Sequence, residues 1–395
     1  MPVNLLDIQK KLQSFGEQAK ARQQAITHRQ QEVADLLEGY ADRLDELRAQ
    51  VDRAAAQNPN LRCAVPREEP LTAVIPMPEL PSVFTLLAAD GSQINPSRHT
   101  RIQFCVINVG VVKMVRGSSQ APEIMTQSQL LDYDAIYLPG GGIISEGMVA
   151  LKRDLREREA LADLAGELNF PAISMTDGPL ELYHEFQESA EFTQTLEKYM
   201  TVLEHLRELG LITLGYVDKP GSDLIGRLLE LVIQPGEEAT PPIHRQRRFA
   251  GVRDIQLVAD LLTRPGDRSA LFAIYSQTAL RFGMDLLPHF FYLNVGSPGK
   301  PHLARVEVPG WVARDRALVG LLQAVLTEQS AIMGTRPYPY ILHRAHEVAV
   351  VTMPEQQHVE DMIVAEFSRR GIPVDEGSFK QYHKDLPTGK TRYQG

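Results

Sequence analysis

The sequence predicts an α/β protein: a mixed β-sheet core with helices, preceded by a long helical segment and followed by an α+β extension. Three observations predict it. Val83-Phe84-Thr85-Leu86-Leu87-Ala88-Ala89 is a short apolar run that ends in Asp90-Gly91-Ser92. Pro171-Ala172-Ile173-Ser174-Met175-Thr176 repeats the form and ends in Asp177-Gly178. Helical and strand-like stretches alternate between and after them, which is the pattern of a sheet with parallel members.

Composition sets the bounds. A chain of 395 residues is long for one minimal core and fits two domains, or one domain with a helical appendage. A net charge of −9 excludes a generally basic nucleic-acid coat but leaves room for a local basic groove. Two cysteines, Cys63 and Cys105, without paired Cys/His spacing exclude a disulfide scaffold and a structural zinc site. Met1 to Gln9 has no signal-peptide pattern, and no apolar stretch reaches membrane-spanning length. The expectation is a cytoplasmic protein with no membrane partner.

Leu5 to Gln57 is rich in helix formers and free of proline. Ile8, Leu12, Phe15 and Ala19 form an apolar seam, and Val33, Leu37, Tyr40, Leu44, Leu47 and Val51 continue it after Arg22 and Arg29 interrupt. The seam fits one long helix or a hairpin, packed within the chain or against a second copy. Asn58-Pro59-Asn60 ends it, and Pro66 to Pro81 reads as an extended linker. The expected division is 1–60 helical, 61–82 linker and 83–395 the main domain, with a core at 83–217 completed by 330–370.

In that core Val83 to Ala89 reads as a strand buried on both faces, with Asp90 where it leaves the sheet. Gly91 lets the backbone turn or approach a ligand. Arg101 to Val112 and Glu123 to Thr126 are the next strands, Glu146 to Leu168 a helix, and Pro139-Gly140-Gly141-Gly142 a loop without phosphate-loop spacing. The Asp177 run is a strand, Phe192 to Leu209 a helix and Leu211 to Val217 a strand leading to Asp218-Lys219. The order β-β-β-α-β-α-β is that of the ribonuclease H-like fold. It brings Asp90 and Asp177 to one sheet edge, where paired carboxylates suit divalent-metal phosphodiester chemistry.

Beyond the core, Pro241 to Arg253 is the densest basic run, and Arg245, Arg247 and Arg248 in it are candidate phosphate contacts, with Ser92 and Lys219. Phe290 to Val295 and Ala304 to Val308 read as a strand pair across a Gly296–Gly299 turn, and Asp315 to Ser330 as an amphipathic helix. Pro339 suits the start of a helix carrying His343 and His346. Gly389-Lys390-Thr391 imitates a phosphate loop but lacks its first glycine.

Ala89-Asp90-Gly91-Ser92, the acidic helix at 146–168, Thr176-Asp177-Gly178, and Tyr338-Pro339 followed by Ala345-His346 together resemble the NurA nuclease family in content and order. The resemblance implies a ribonuclease H-like core and a site with manganese, or magnesium, in a two-metal arrangement. It also implies a ring-shaped homodimer and 5′-to-3′ exonuclease and single-strand endonuclease activity on DNA. The implied partner is a HerA-type hexameric ATPase in double-strand break processing. Asp90 and Asp177 match the family's metal-binding aspartates, and Tyr338 and His346 its C-terminal pair. The glutamate is Glu157 or Glu159, with Glu159 preferred for its shorter separation from Asp177. Metal ligands are then Asp90, Asp177, Glu159 and His346. Pro179 departs from the family pattern and leaves the turn after Asp177 open. The competing readings are a non-catalytic coiled-coil adaptor and a ribonuclease.

Overall fold

A computed structural model of the chain describes residues 4–97, 100–137, 142–166, 168, 171–182, 190–233 and 247–374. Arg245, most of the Pro139–Gly142 loop and the Gly389-Lys390-Thr391 tail lie outside the described residues. The chain forms two compact units. The first comprises Met1–Ser82, Asp177–Tyr183 and Ile212–Tyr340, the second Val83–Thr176, His184–Leu211 and Ile341–Gly395. Counting strands, and helices of ten residues or more, the order is α1 (Leu5–Gly39), α2 (Leu44–Gln57), β1 (Cys63–Pro66), β2 (Phe84–Ile94), β3 (Val106–Arg116) and β4 (Glu123–Leu130). Then come α3 (Glu146–Ala165), β5 (Ala172–Asp177), α4 (Ala190–Glu208), β6 (Ile212–Val217), α5 (Leu224–Ile233) and β7 (Phe272–Tyr275). The chain continues with β8 (His289–Asn294), β9 (Leu303–Val308), α6 (Arg316–Ile332), α7 (Tyr340–Ala349) and α8 (Met353–Arg369).

The second unit holds a mixed sheet of four of the five strands expected over 83–217, the fifth, β6, falling in the first unit. Its strand order is β5-β2-β3-β4, with β2 parallel to β5 and antiparallel to β3, and β3 antiparallel to β4. The crossover from β4 to β5 runs through α3, as a parallel connection requires. Phe84 to Ala89 is buried throughout, which is why it reads as a run that is apolar but for Thr85. Ser145 caps α3 by accepting the Met148 amide at 3.2 Å, and the helix packs on β2, β3 and α4. β2 does not end at Asp90, contrary to expectation. Its ladder to β5 stops at Ala89↔Thr176, whereas its ladder to β3 continues to Ile94↔Val106.

The first unit has the strand order β1-β7-β8-β9-β6. Its core gathers Val33, Leu37, Leu47, Val51, Leu228, Phe272 and Phe290, so the C-terminal half of the N-terminal seam packs within the chain. The helical segment is two helices: α1 and α2 are separated by a break at Tyr40–Arg43, inside what reads as one apolar seam. Leu5, Ile8, Leu12 and Phe15, on the first half of α1, are exposed, Phe15 to 68%. The expected linker holds a strand, since β1 pairs antiparallel with β7. β6 pairs antiparallel with β9, which belongs to the β8–β9 hairpin foreseen from the sequence.

Candidate active site

The site in the second unit starts from two glycines. Asp90 on β2 faces Gly110 on β3 across the ladder. A Cβ at Gly110 would lie 2.7 Å from the Ala349 nitrogen and 2.8 Å from the Ala345 oxygen, so α7 crosses β3 directly over it. The last carbonyl of α7, Ala349, accepts from the Ser92 hydroxyl at 2.5 Å and from the Asn108 amide at 2.8 Å. Those bonds satisfy a carbonyl the helix leaves open and hold the helix at this height. His346 is thereby set beside the strand, with Nδ1 2.6 Å from Asp90 Oδ2.

Gly91 does the same for α3. A Cβ there would lie 2.6 Å from Arg153 Cγ and 2.7 Å from Glu157 Oε1, so the missing side chain admits both groups to the strand backbone. This role replaces the turn expected of Gly91, which sits within β2. Successive strand residues face opposite ways, so His346 approaches Asp90 from one side and Glu157 comes over Gly91 from the other.

Glu157 is 4% exposed. Burial pushes its carboxyl well above the usual carboxylate range, and the charges of Asp154 and Asp90 push it further against the pull of Arg153 and Arg158. Asp154, three residues earlier on α3, is also raised by burial, against Arg153. The Arg153 guanidinium spans the two acids, with Nη2 3.0 Å from Asp154 Oδ1 and Nε 3.4 Å from Glu157 Oε1. Beneath them Arg158, 1% exposed, hydrogen-bonds Tyr199. The cluster sets three carboxyl groups, of Asp90, Asp154 and Glu157, against the two guanidinium groups of Arg153 and Arg158, and its donors are oxygens with one imidazole.

The structure brings His346 to Asp90 on one side of β2 and Glu157 to Gly91 on the other, and adds Asp154, linked to Glu157 through Arg153, which the sequence reading missed although the Asp154/Glu157 spacing puts both on one helix side. Glu159 pairs with Arg156 at 2.8 Å, whereas Glu157 lies against Gly91 of β2. His343 faces Glu347 at 3.5 Å on the same helix. Asp177 is the exposed last residue of β5, one step beyond the Ala89↔Thr176 pair. Tyr338, in the first unit, packs edge-to-face on Tyr216 with ring centroids 5.6 Å apart.

The candidate DNA contacts fare less well. Ser92 is committed to Ala349. Arg247 bonds Asp223 and, at 2.9 Å, Glu230, so its charge is spent inside the first unit. Arg248 lies 3.5 Å from Glu32 and is 49% exposed. Lys219 is exposed just after β6. The basic run therefore reflects internal pairing as much as surface.

Among the described residues no three His, Cys, Asp or Glu side chains are gathered into a ready cage for a metal. The donor set still suits a small hard cation, because magnesium-type ions take one or two carboxylates and complete their shell with water and phosphate oxygens.

The sequence matches the family model of the NurA domain over residues 84–351. The chain belongs to the NurA domain family. Among solved structures, this NurA-domain chain is similar to the NurA nuclease from Sulfolobus solfataricus at 13% identity and a TM-score of 0.49, over 92% of this chain and 98% of that one. It is also similar to the catalytic domain of human endonuclease V, at 13% identity and a TM-score of 0.34, over 84% and 99% of the two chains. Drosophila Piwi matches at 12% identity and a TM-score of 0.30, over 69% of this chain and 30% of that one. Comparison with curated protein sequences returned no match. No helix among the described residues is long and apolar enough to cross a membrane.

Proposed function

We propose that this NurA-domain protein is a metal-dependent deoxyribonuclease whose centre is Asp90, Glu157 and His346, with Asp177 and Asp154 as further carboxylate donors. The single observation that carries the reading is the His346–Asp90 pair, 2.6 Å apart, with the charge of Asp90 acting on the buried Glu157 carboxyl of α3. A divalent ion, manganese or magnesium, bound there singly or as a pair supplies an activated water and neutralises phosphate charge. Asp90 and Asp177 follow directly on paired residues of two parallel strands, which supports their use as joint ligands. Asp90 orients the imidazole of His346 through Nδ1 and leaves Nε2 to hold or pass a proton or to meet a phosphate. Tyr338 orients the phosphate, and Glu157 rather than Glu159 is the acidic partner.

The finer activities follow the family: 5′-to-3′ exonuclease and single-strand endonuclease cleavage of DNA, in double-strand break processing with a HerA-type hexameric ATPase. A homodimer is supported by the exposed Leu5, Ile8, Leu12 and Phe15 stripe of α1, which has the spacing of a helix-pairing seam. Of the basic residues, Lys219 and Arg248 remain available for phosphate.

The deciding experiment incubates purified protein with end-labelled single- and double-stranded DNA and RNA, with Mn²⁺, Mg²⁺ or EDTA. DNA cleavage that EDTA abolishes, and that Asp90→Asn and Asp177→Asn each lose, is the expected result. DNA binding without cleavage under every metal condition makes the protein an adaptor, and cleavage confined to RNA makes it a ribonuclease.

A further inference from the structure

The turn after Asp177 is held by a carboxylate the chemistry does not use. Gly178 takes a φ of 103° and its N–H donates to the Tyr216 carbonyl at 2.7 Å. The next two available amides, of Leu180 and Glu181, both donate to Glu307 Oε2, at 2.7 and 3.1 Å. Pro179, between Gly178 and Leu180, has no N–H to place. Glu307 is 0% exposed, and its other oxygen lies 2.6 Å from Arg305 Nη2. On β6, Gly215 is the register partner of Glu307. A Cβ at Gly215 would lie 2.6 Å from the Gly178 oxygen and 2.9 Å from the Leu180 nitrogen, so the turn lies flat on that residue. Glu181 adds a second anchor, with its own buried carboxylate 2.5 Å from Arg62 and bonded to Ser276.

A buried ion pair is a poor source of stability, because an apolar pair of similar volume serves as well or better. Glu307 does something an apolar residue cannot: it accepts two main-chain amides three and four residues after Asp177. We infer that Glu307, held by Arg305 and facing Gly215, is a positioning residue that fixes the Asp177 carboxylate for metal. The inference rests on the proposed reading of Asp177 as a ligand. Residues that orient a metal ligand typically govern 10–100-fold in affinity.

The test is calorimetric titration of full-length protein with MnCl₂ alone, on wild type, Asp177→Asn, Glu307→Gln and Gly215→Ala, with folding checked by circular dichroism. Cleavage is then measured across Mn²⁺ concentration. Glu307→Gln keeps the volume and loses the charge, and the expected result is Mn²⁺ affinity weakened by about 10–100-fold, with cleavage largely recovered at saturating Mn²⁺. Gly215→Ala lifts the turn without touching Glu307, should weaken Mn²⁺ binding in the same direction, and decides the matter if Glu307→Gln does not fold. Folded variants that melt earlier but bind Mn²⁺ like wild type overturn the inference and leave Asp177 in place, provided Asp177→Asn has lost affinity. Wild-type Mn²⁺ affinity in Asp177→Asn overturns the ligand reading itself, and the role of Glu307 with it.

Discussion

His346 Nδ1 and Asp90 Oδ2 lie 2.6 Å apart although they come from different elements, a helix and a central strand. His343, three residues earlier, is turned about 300° round the helix and pairs with Glu347 instead. Alanine at 346 should slow DNA cleavage at least about tenfold, the scale of an acid–base or metal-orienting residue. Alanine at 343 should cost little, since exposed pairs contribute little. Rates at low and saturating Mn²⁺ separate the roles: rescue by metal marks a ligand, and no rescue marks proton transfer. An active His346→Ala beside a dead His343→Ala would sink the assignment.

Gly110 is the seat of that relationship. Gly110→Ala places a methyl group against the backbone of α7. Backbone cannot step aside as a side chain does, so the helix must shift, at a cost of roughly 1–3 kcal/mol. The expected outcome is a lower melting temperature together with a loss of cleavage that approaches that of His346→Ala. Gly16→Ala, on exposed α1 with nothing within 4 Å, is the matched control and should be neutral or stabilising.

Glu157→Gln and Glu159→Gln should differ in both activity and stability. Glu157→Gln should abolish cleavage, whereas Glu159→Gln should lose only a partly exposed pair with Arg156. In EDTA, Glu157→Gln should melt above wild type, because it removes a buried charge that its surroundings disfavour. Equal cleavage by the two variants would place the acidic ligand elsewhere.

Two buried groups of the first unit give opposite pH dependences. Asp254 accepts the Ile225 and Gly226 amides at the start of α5, at 3.0 and 3.1 Å, and burial raises it to about 6. Its contribution is present below its unfolded value near 4 and is lost as pH rises toward 6. Burial lowers His289 to about 4, so its contribution is present above about 6.5 and is lost as pH falls toward 4. In wild type the two slopes oppose each other across that window. Asp254→Asn should therefore melt more steeply with acid between pH 6.5 and 4 than wild type does. Parallel melting curves would show that Asp254 does not titrate there.

The strand of Phe84 to Ala89 was legible because a segment buried on both faces is apolar at nearly every position, here all but Thr85. Where its ladder to β5 stops was not, since that depends on the length of a partner about ninety residues away. The choice between Glu157 and Glu159 was not legible, because separation along the chain carries no information about which side of α3 meets β2. Arg247 looked like surface charge because its carboxylates, 17 and 24 residues away, come near only in the fold. β7 has four residues, too few to show a period. The start of α8 was legible and unread: Thr352, Pro354 and Glu355 are a helix-opening signature, and Thr352 and Glu355 form a capping box.

The cysteines, read first only as the absence of a disulfide, acquire a use from their placement. Cys63 lies in the first unit and Cys105 in the second, and each is 0% exposed. Burial raises their thiols to about 12 and about 11, so at neutral pH neither offers a thiolate to an electrophile while its surroundings stay closed. Alkylation rate at each thiol is thus a clock for the opening of its own unit. With Cys63→Ala or Cys105→Ala in turn, the same reagent times the two units separately, and the ratio of the rates tells whether they open as one body or two.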